Sequence, residues 1–167
     1  SNELDQFSHM RWVPNHEVTS ITNPITVDHT ILRQHLLPGL LKLLASNRHH
    51  DLPQSVYELG AVVRDHRNAE RLAFITAERS GGFAAVRGRI QALCNDLGVK
   101  DWRAEPLEAG DGPWLAGRGA KILIGETWVG CFGELDPAVS SVYELRVPLN
   151  AAELDVDALM AAVSDPV

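Results

Sequence analysis

The sequence predicts an α+β fold, an antiparallel sheet with helices packed against it. Three observations lead there. Strand-like runs outnumber helical ones, with few helices placed as crossovers. Two adjacent runs, 54–63 and 71–76, carry strand patterning across a charged turn and so read as an antiparallel hairpin. Two segments, 35–47 and 83–97, carry apolar residues at helical spacing.

The elements run in order along the chain. Residues 1–18 are polar and mixed, and read as an extended lead-in. The opening Ser1-Asn2, without Met, reads as an expression-tag remnant on a piece of a longer protein. Val18–Thr22 alternates enough for a short strand, stopped by a turn at Asn23-Pro24, because Asn before Pro disfavours helix. Asp28 or Thr30 is a candidate cap for the first helix. In 35–47, Leu36, Leu40, Leu43 and Leu44 share a face. Pro38 is tolerable only in the first turn, so this helix begins near Leu36 or Leu37.

Gly60 interrupts the first hairpin strand and marks a candidate bulge. In the second helix Phe83, Val86, Ile90, Leu93 and Leu97 form a stripe, and Gly98 stops it. Gly88 inside that helix costs about 1 kcal/mol against Ala, which a close packing neighbour would explain. Trp102–Pro113 reads as loop. Ala120–Ile124 and Thr127–Phe132 are strands joined at Gly125-Glu126. Asp136-Pro137 opens a short helix, Val147–Leu154 is the last strand and Val156–Val163 the last helix. The domain proper is taken as 19–163.

With 167 residues the chain makes one domain. It can bury roughly 70% of its unfolded surface. The net charge of −7 makes it a poor stand-alone nucleic-acid binder. No apolar run approaches membrane-helix length and no signal peptide is visible, so a cytoplasmic location is expected. Cys94 and Cys131 read as reduced, buried thiols.

Candidate sites are sparse. Gly117-x-Gly119 and Gly130-x-x-Gly133 lack the context of a phosphate loop and read as turns and bulges. The seven histidines form no metal-ligand pattern. His9 and His16 are expected at the surface, and His49-His50 to sit against the helix dipole. Trp12, Trp102, Trp114 and Trp128 read as core or interface packing, with Trp102 or Trp114 the candidate partner anchor. Arg33, behind Ile31 and Leu32, needs a partner in an apolar setting, and Glu58 is the candidate.

The ordered motifs carry a family resemblance. They are Asn23-Pro24, Leu32-Arg33, Leu36-Leu37-Pro38-Gly39-Leu40-Leu41, Tyr57-Glu58-Leu59-Gly60, Phe83-x-x-Val86-Arg87-Gly88, Gly130-x-x-Gly133-Glu134-Leu135-Asp136-Pro137 and the closing strand Val147–Asp155. They resemble the catalytic-like core of the phenylalanine–tRNA ligase β subunit, over residues about 19 to 160. Arg87 stands for the family's Lys and Asp136 for its His.

The resemblance implies a class II aminoacyl-tRNA synthetase-like antiparallel sheet flanked by helices, of archaeal or eukaryotic type. It implies no catalytic, cofactor or metal residues in this chain. Asn23, Pro24, Arg33, Pro38, Glu58, Gly60, Gly88, Gly133 and Glu134 are the structural candidates. It further implies an α-subunit partner in a heterotetramer. The whole enzyme would use ATP and magnesium, and tRNA would be held only through it.

Class II sites need an arginine on the hairpin and another opening a late helix, to hold the ATP phosphate. Here Arg64, Arg67 and Arg71 are expected to be solvated turn residues. After the late strand 125–133, no arginine stands at Glu134–Pro137. The alternative is a nucleotide or small-molecule enzyme on the same fold. It requires those hairpin arginines to converge in a concave site.

Overall fold

Six strands form one antiparallel sheet in the order β1-β2-β6-β5-β4-β3. The computed structural model describes residues 1–108 and 110–164. Strands β1 (Gln54–Arg64) and β2 (Arg67–Ala77) make the hairpin, and β3 (Trp102–Pro106), β4 (Trp114–Ile124) and β5 (Thr127–Leu135) a meander. The last strand, β6 (Leu149–Asp155), inserts between them. Being central, β6 is buried from Leu149 to Leu154.

Helix α1 (Leu37–Ser46) covers one face. Leu36, Leu37, Leu40, Leu41 and Leu44 pack on Val62, Ala73, Ile75 and Ala151. Helices α2 (Gly82–Asp96) and α4 (Val156–Ser164) cover the other. There Val86, Ile90 and Leu159 meet Phe74, Phe132, Ala152 and Leu154. A short α3 (Pro137–Ser140) follows β5, with Asp136 as its N-cap accepting from the Ala138 amide at 2.9 Å.

Several expectations change. The segment 1–18 is not an extended lead-in. Leu4–Ser8 forms a π-helical turn with Asp5, Gln6 and Phe7 buried, and Met10 is fully buried. Its polar residues are internal partners. Gln6 Oε1 accepts from the Gln34 and His35 amides, both at 2.9 Å, and Lys42 Nζ donates to Asp5 at 2.5 Å. The folded unit therefore includes residues before 19. Val18–Thr22 reduces to an isolated bridge between Ser20 and Ile31 around the Asn23-Pro24 turn, where Asn23 has φ 59°.

Neither Asp28 nor Thr30 caps α1, which starts after Leu36 with no side-chain cap of its own. Pro38 lies in its first turn, as its missing N–H demands. Trp102–Pro106, expected as loop, is an edge strand whose charged Arg103 and Glu105 face solvent and whose Pro106 closes it. Gly60 lies in regular register opposite Arg71, without a bulge. The irregularities are in β4, between Trp114 and Gly119 and between Ile122 and Leu123. A Cβ placed on Gly88 would have no neighbour within 4 Å, so no close packing explains this glycine.

The buried Glu153 cluster as candidate functional site

The first four amides of a helix have no partner within the helix. In α1 the missing acceptor comes from the central strand. Glu153 on β6, 2% exposed, accepts from the Leu36 and Leu37 amides through Oε1 at 2.8 and 2.9 Å. Its Oε2 receives Arg71 Nε at 2.5 Å. Arg64 donates through Nε and Nη2 to the Gln34 carbonyl at 3.1 and 2.7 Å. The Trp12 indole stacks on His35 with centroids 3.8 Å apart. Thus the N-terminal segment, the 31–36 entry, the hairpin and the central strand meet at one point.

The electrostatics favour one charge state. Burial by itself would raise the Glu153 carboxyl. The Arg71 guanidinium outweighs burial and holds the group well below the usual carboxylate range. Burial lowers Arg64 to about 10, with Arg71 adding repulsion, so it stays charged at neutral pH. His35 Nδ1 lies 3.3 Å from Arg64 Nη2 and 3.4 Å from Glu153 Oε2. A neutral ring accepts from Arg64, while a protonated one donates to Glu153. Burial lowers the His35 pKa, and Arg64 and Arg71 push the same way against Glu153. The ring is therefore neutral in the fold.

A pH dependence results. A histidine whose folded pKa lies below its unfolded value of 6.5 contributes stability that is present above 6.5 and lost as pH falls through the folded value. Glu153, depressed from 4.5, adds a second loss below 4.5. The melting temperature should fall from pH 7.5 to 5.5, and the His35→Gln variant should flatten that slope. An unchanged slope in the variant would remove His35 as its source.

Two of the three hairpin arginines are therefore not solvated turn residues. Arg71 is 9% exposed, and Arg64 is half-buried; Arg67 alone is exposed at the tip. Hairpin position marks all three as surface, whereas β6 and the 31–36 segment arrive from elsewhere in the chain to cover two of them. Arg71 is bound to the Glu153 carboxylate and Arg64 to the Gln34 carbonyl, so the donors that make these bonds serve the protein itself. Neither the cavity near the end of α1 nor the apolar groove beside Ile21 and Ile31 is lined by Arg64, Arg67 or Arg71.

The late helix also needs re-placing. The strand beside β2 is β6, not β5, so the helix opened next to the hairpin is α4 rather than α3. α4 has no Lys or Arg, and Asp155 accepts from the Ala158 amide at 3.0 Å. The entry of α3 is likewise occupied by a carboxylate. Its Asp136 is held below the usual range first by the Ala138 amide and then by Arg11, whose Nη1 lies 2.8 Å away.

Arg33 and Glu58 do pair, Nη1 donating to both carboxylate oxygens at 2.9 and 3.0 Å, and Arg33 Nε donates to the Ala61 carbonyl at 3.0 Å. Both side chains are about a third exposed. Gly60 leaves the room, since a Cβ there would sit 2.7 Å from Arg33 Nη2. Arg33→Ala should therefore cost only about 1 kcal/mol, roughly 3 °C of melting temperature. A loss above about 8 °C by thermal circular dichroism would show the pair to be worth far more. Glu134, half-buried near the end of β5, makes no ion pair among the described residues.

Other candidates shift as well. His9 and His16 are half-buried rather than exposed. The His9 ring meets Tyr143 edge-on, and His16 Nδ1 lies 2.8 Å from Asp65. The end of α1 is served by Arg48, which donates to the Ala45 carbonyl at 3.2 Å, not by His49 or His50. Trp114 is core at 6% exposure and cannot anchor a partner, whereas Trp128, 53% exposed under Lys121, is the outward indole. Both cysteines are free, and burial pushes the Cys131 thiol up to about 11. Among the described residues no group of three or more His, Cys, Asp or Glu is arranged for a metal.

Residues 1–156 match the family described as phenylalanyl tRNA synthetase beta chain CLM domain. The chain belongs to that family. The match starts at residue 1, in accord with the packed position of the first eighteen residues. Among curated relatives, the phenylalanine–tRNA ligase beta subunit of Archaeoglobus fulgidus is 37% identical over 160 residues, covering 95% of this chain and 29% of the relative. That of Methanothrix thermoacetophila is 36% identical over 156 residues, covering 93% and 28%. That of Methanopyrus kandleri is 34% identical over 165 residues, covering 95% and 28%. The chain thus spans under a third of the length of these relatives.

A crystal structure of pyrrolysyl-tRNA synthetase from Desulfitobacterium hafniense superposes with a TM-score of 0.68 at 14% identity, covering 87% of this chain and 53% of that one. At that identity the likeness is one of fold. It agrees with the class II synthetase-like sheet expected for this β-chain family.

Proposed function

We propose that this chain is the non-catalytic core of a phenylalanine–tRNA ligase β subunit, packing against a catalytic α subunit. The whole enzyme would charge tRNA with phenylalanine using ATP and magnesium, in the cytoplasm, with tRNA held through the assembly. The Glu153 cluster carries this reading. Of the hairpin arginines that an adenylating site would turn toward phosphate, Arg71 is bound to a buried carboxylate and Arg64 to a backbone carbonyl. Carboxylates, not cations, stand at the entries of α3 and α4. Membership of the β-chain family supports the partner.

The surface supports it too. Tyr57 and Leu59, 79% and 61% exposed, project from edge strand β1, and Ile25 and Val27 are 99% and 83% exposed. Exposed apolar side chains on an edge strand and on a loop earlier in the chain are what an interface would cover. The chain mixed with the α subunit of the same organism should co-elute as a complex in size-exclusion chromatography with light scattering. Tyr57→Glu with Leu59→Glu should abolish that peak. Separate elution of the unaltered chain, together with ATP–pyrophosphate exchange by the chain alone, would reverse the reading.

A further inference from the structure

Arg79 and Arg146 have no partner among the described residues, yet both line one cavity. The cavity, about 870 Å³, opens at the C-terminal end of α1, between the start of β1, the end of β2 and the 144–147 loop. It is remote from the Glu153 cluster, which sits at the other end of α1. A ten-residue helix is about 15 Å long. The floor is apolar, from Leu44, Leu52, Leu145 and Val147. The rim carries three arginines against the two carboxylates of Asp51 and Glu144. Arg48 joins the two free arginines, and of the three only Arg48 is engaged, 3.4 Å from the exposed Glu144.

Arg79 and Arg146 are both exposed, which leaves their donors open to a ligand. Unpaired guanidiniums around one concavity repel each other and concentrate positive potential, here in a chain of net charge −7. The wall is also held in place. Gln54 Nε2 donates to the Asn47 and His50 carbonyls at 3.0 and 2.9 Å, pinning the loop that carries His49 and His50.

We propose that this cavity binds a ribonucleotide phosphate. Arginine forks suit phosphate oxygens because they offer paired donors and a permanent charge. The apolar floor suits the flat face of a base. Asp51, on the same rim and without an ion pair among the described residues, offers acceptors to ribose hydroxyls. A free nucleotide and the phosphodiester of an RNA strand share this chemistry. The inference stands independently of the ligase-subunit reading, because it uses none of the residues on which that reading rests.

The test uses the chain with three probes: ATP, a fluorescein-labelled tetraribonucleotide and adenosine. Calorimetry and anisotropy read the affinities at two salt concentrations. A phosphate-bearing probe should bind, more weakly at the higher salt, and adenosine at least about tenfold more weakly. Arg79→Ala and Arg146→Ala should each weaken binding about tenfold, with melting curves unchanged. Arg67→Ala, at the far hairpin tip, should not. Binding of the oligonucleotide but not ATP assigns the site to RNA, and comparable binding of ATP assigns it to free nucleotide. No binding of either phosphate probe at millimolar concentration overturns the proposal. So does adenosine binding as tightly as ATP, or Arg67→Ala weakening binding as much as Arg79→Ala.

Discussion

Glu153→Ala should cost about 3–5 kcal/mol and lower the melting temperature by roughly 6–20 °C. The substitution strands two groups at once. Arg71, 9% exposed, loses its carboxylate at 2.5 Å, and the first amides of α1 lose their acceptor outside the helix. Glu153→Gln keeps the shape and one carbonyl oxygen, so it should lose markedly less. A double-mutant cycle with Arg71→Met sharpens the result. Once Glu153 is gone, removing the buried guanidinium should cost little or even restore stability, giving strong non-additivity. Strictly additive losses, or a Glu153→Ala protein melting within about 3 °C of the parent, would mean that α1 is held by its leucines alone.

Gly133→Ala and Gly88→Ala should move stability in opposite directions. A Cβ at Gly133 would run into the Arg118 carbonyl oxygen and stand 2.8 Å from Gly119 Cα. Both are backbone atoms of the neighbouring strand β4 and cannot rotate aside. The opposing Gly119 has no room to give either, because a Cβ there would meet Trp114 Cβ at 2.7 Å. The strands must separate where Trp114 enters the core, at a cost of about 3 kcal/mol. Gly88 has open space around it in the interior of α2, so Ala should stabilise by about 1 kcal/mol through helix propensity. Chemical denaturation of both variants reads the two signs. A neutral Gly133→Ala would show that the β4–β5 pairing yields easily, and a destabilising Gly88→Ala would mean that something occupies the space beside α2.

Much of the fold is legible in the sequence because local patterning and burial agree. Leu36, Leu40 and Leu44 share a face in any helix, which places α1 to within two residues of Leu37–Ser46. Leu43, expected on that face, is exposed because Leu37 and Leu41 take the other side of the buried stripe. The hairpin is legible because alternation on each side flanks a polar turn, which proves to be Asp65 and His66 at φ 51° and 60°. Asp136-Pro137 announces α3 because a capping acceptor followed by Pro is a local signal. Strand β3 escapes sequence reasoning because an edge strand need not be apolar. Its Arg103, Glu105 and Pro106 are what an exposed edge carries. The first eighteen residues mislead for a related reason: Asp5 and Gln6 look solvated until the amides and the lysine they satisfy are known.

The candidate site divides in the same way. Arg33 with Glu58 can be paired from the sequence, because a cation behind two apolar residues asks for one nearby carboxylate. Nothing local links Glu153 to Arg71 and to Leu36, which are 82 and 117 positions away along the chain. By itself, the sequence determined the periodic elements, the α+β class and, through its ordered motifs, the family. Only the tertiary structure decided that β6 would lie between the hairpin and the meander. That placement turns a glutamate in a closing strand into the cap of the first helix and the counter-charge of the hairpin. The reason is physical. Patterning along the chain reports which side of an element is buried, whereas the partner of a buried charge depends on which distant strand is inserted beside it.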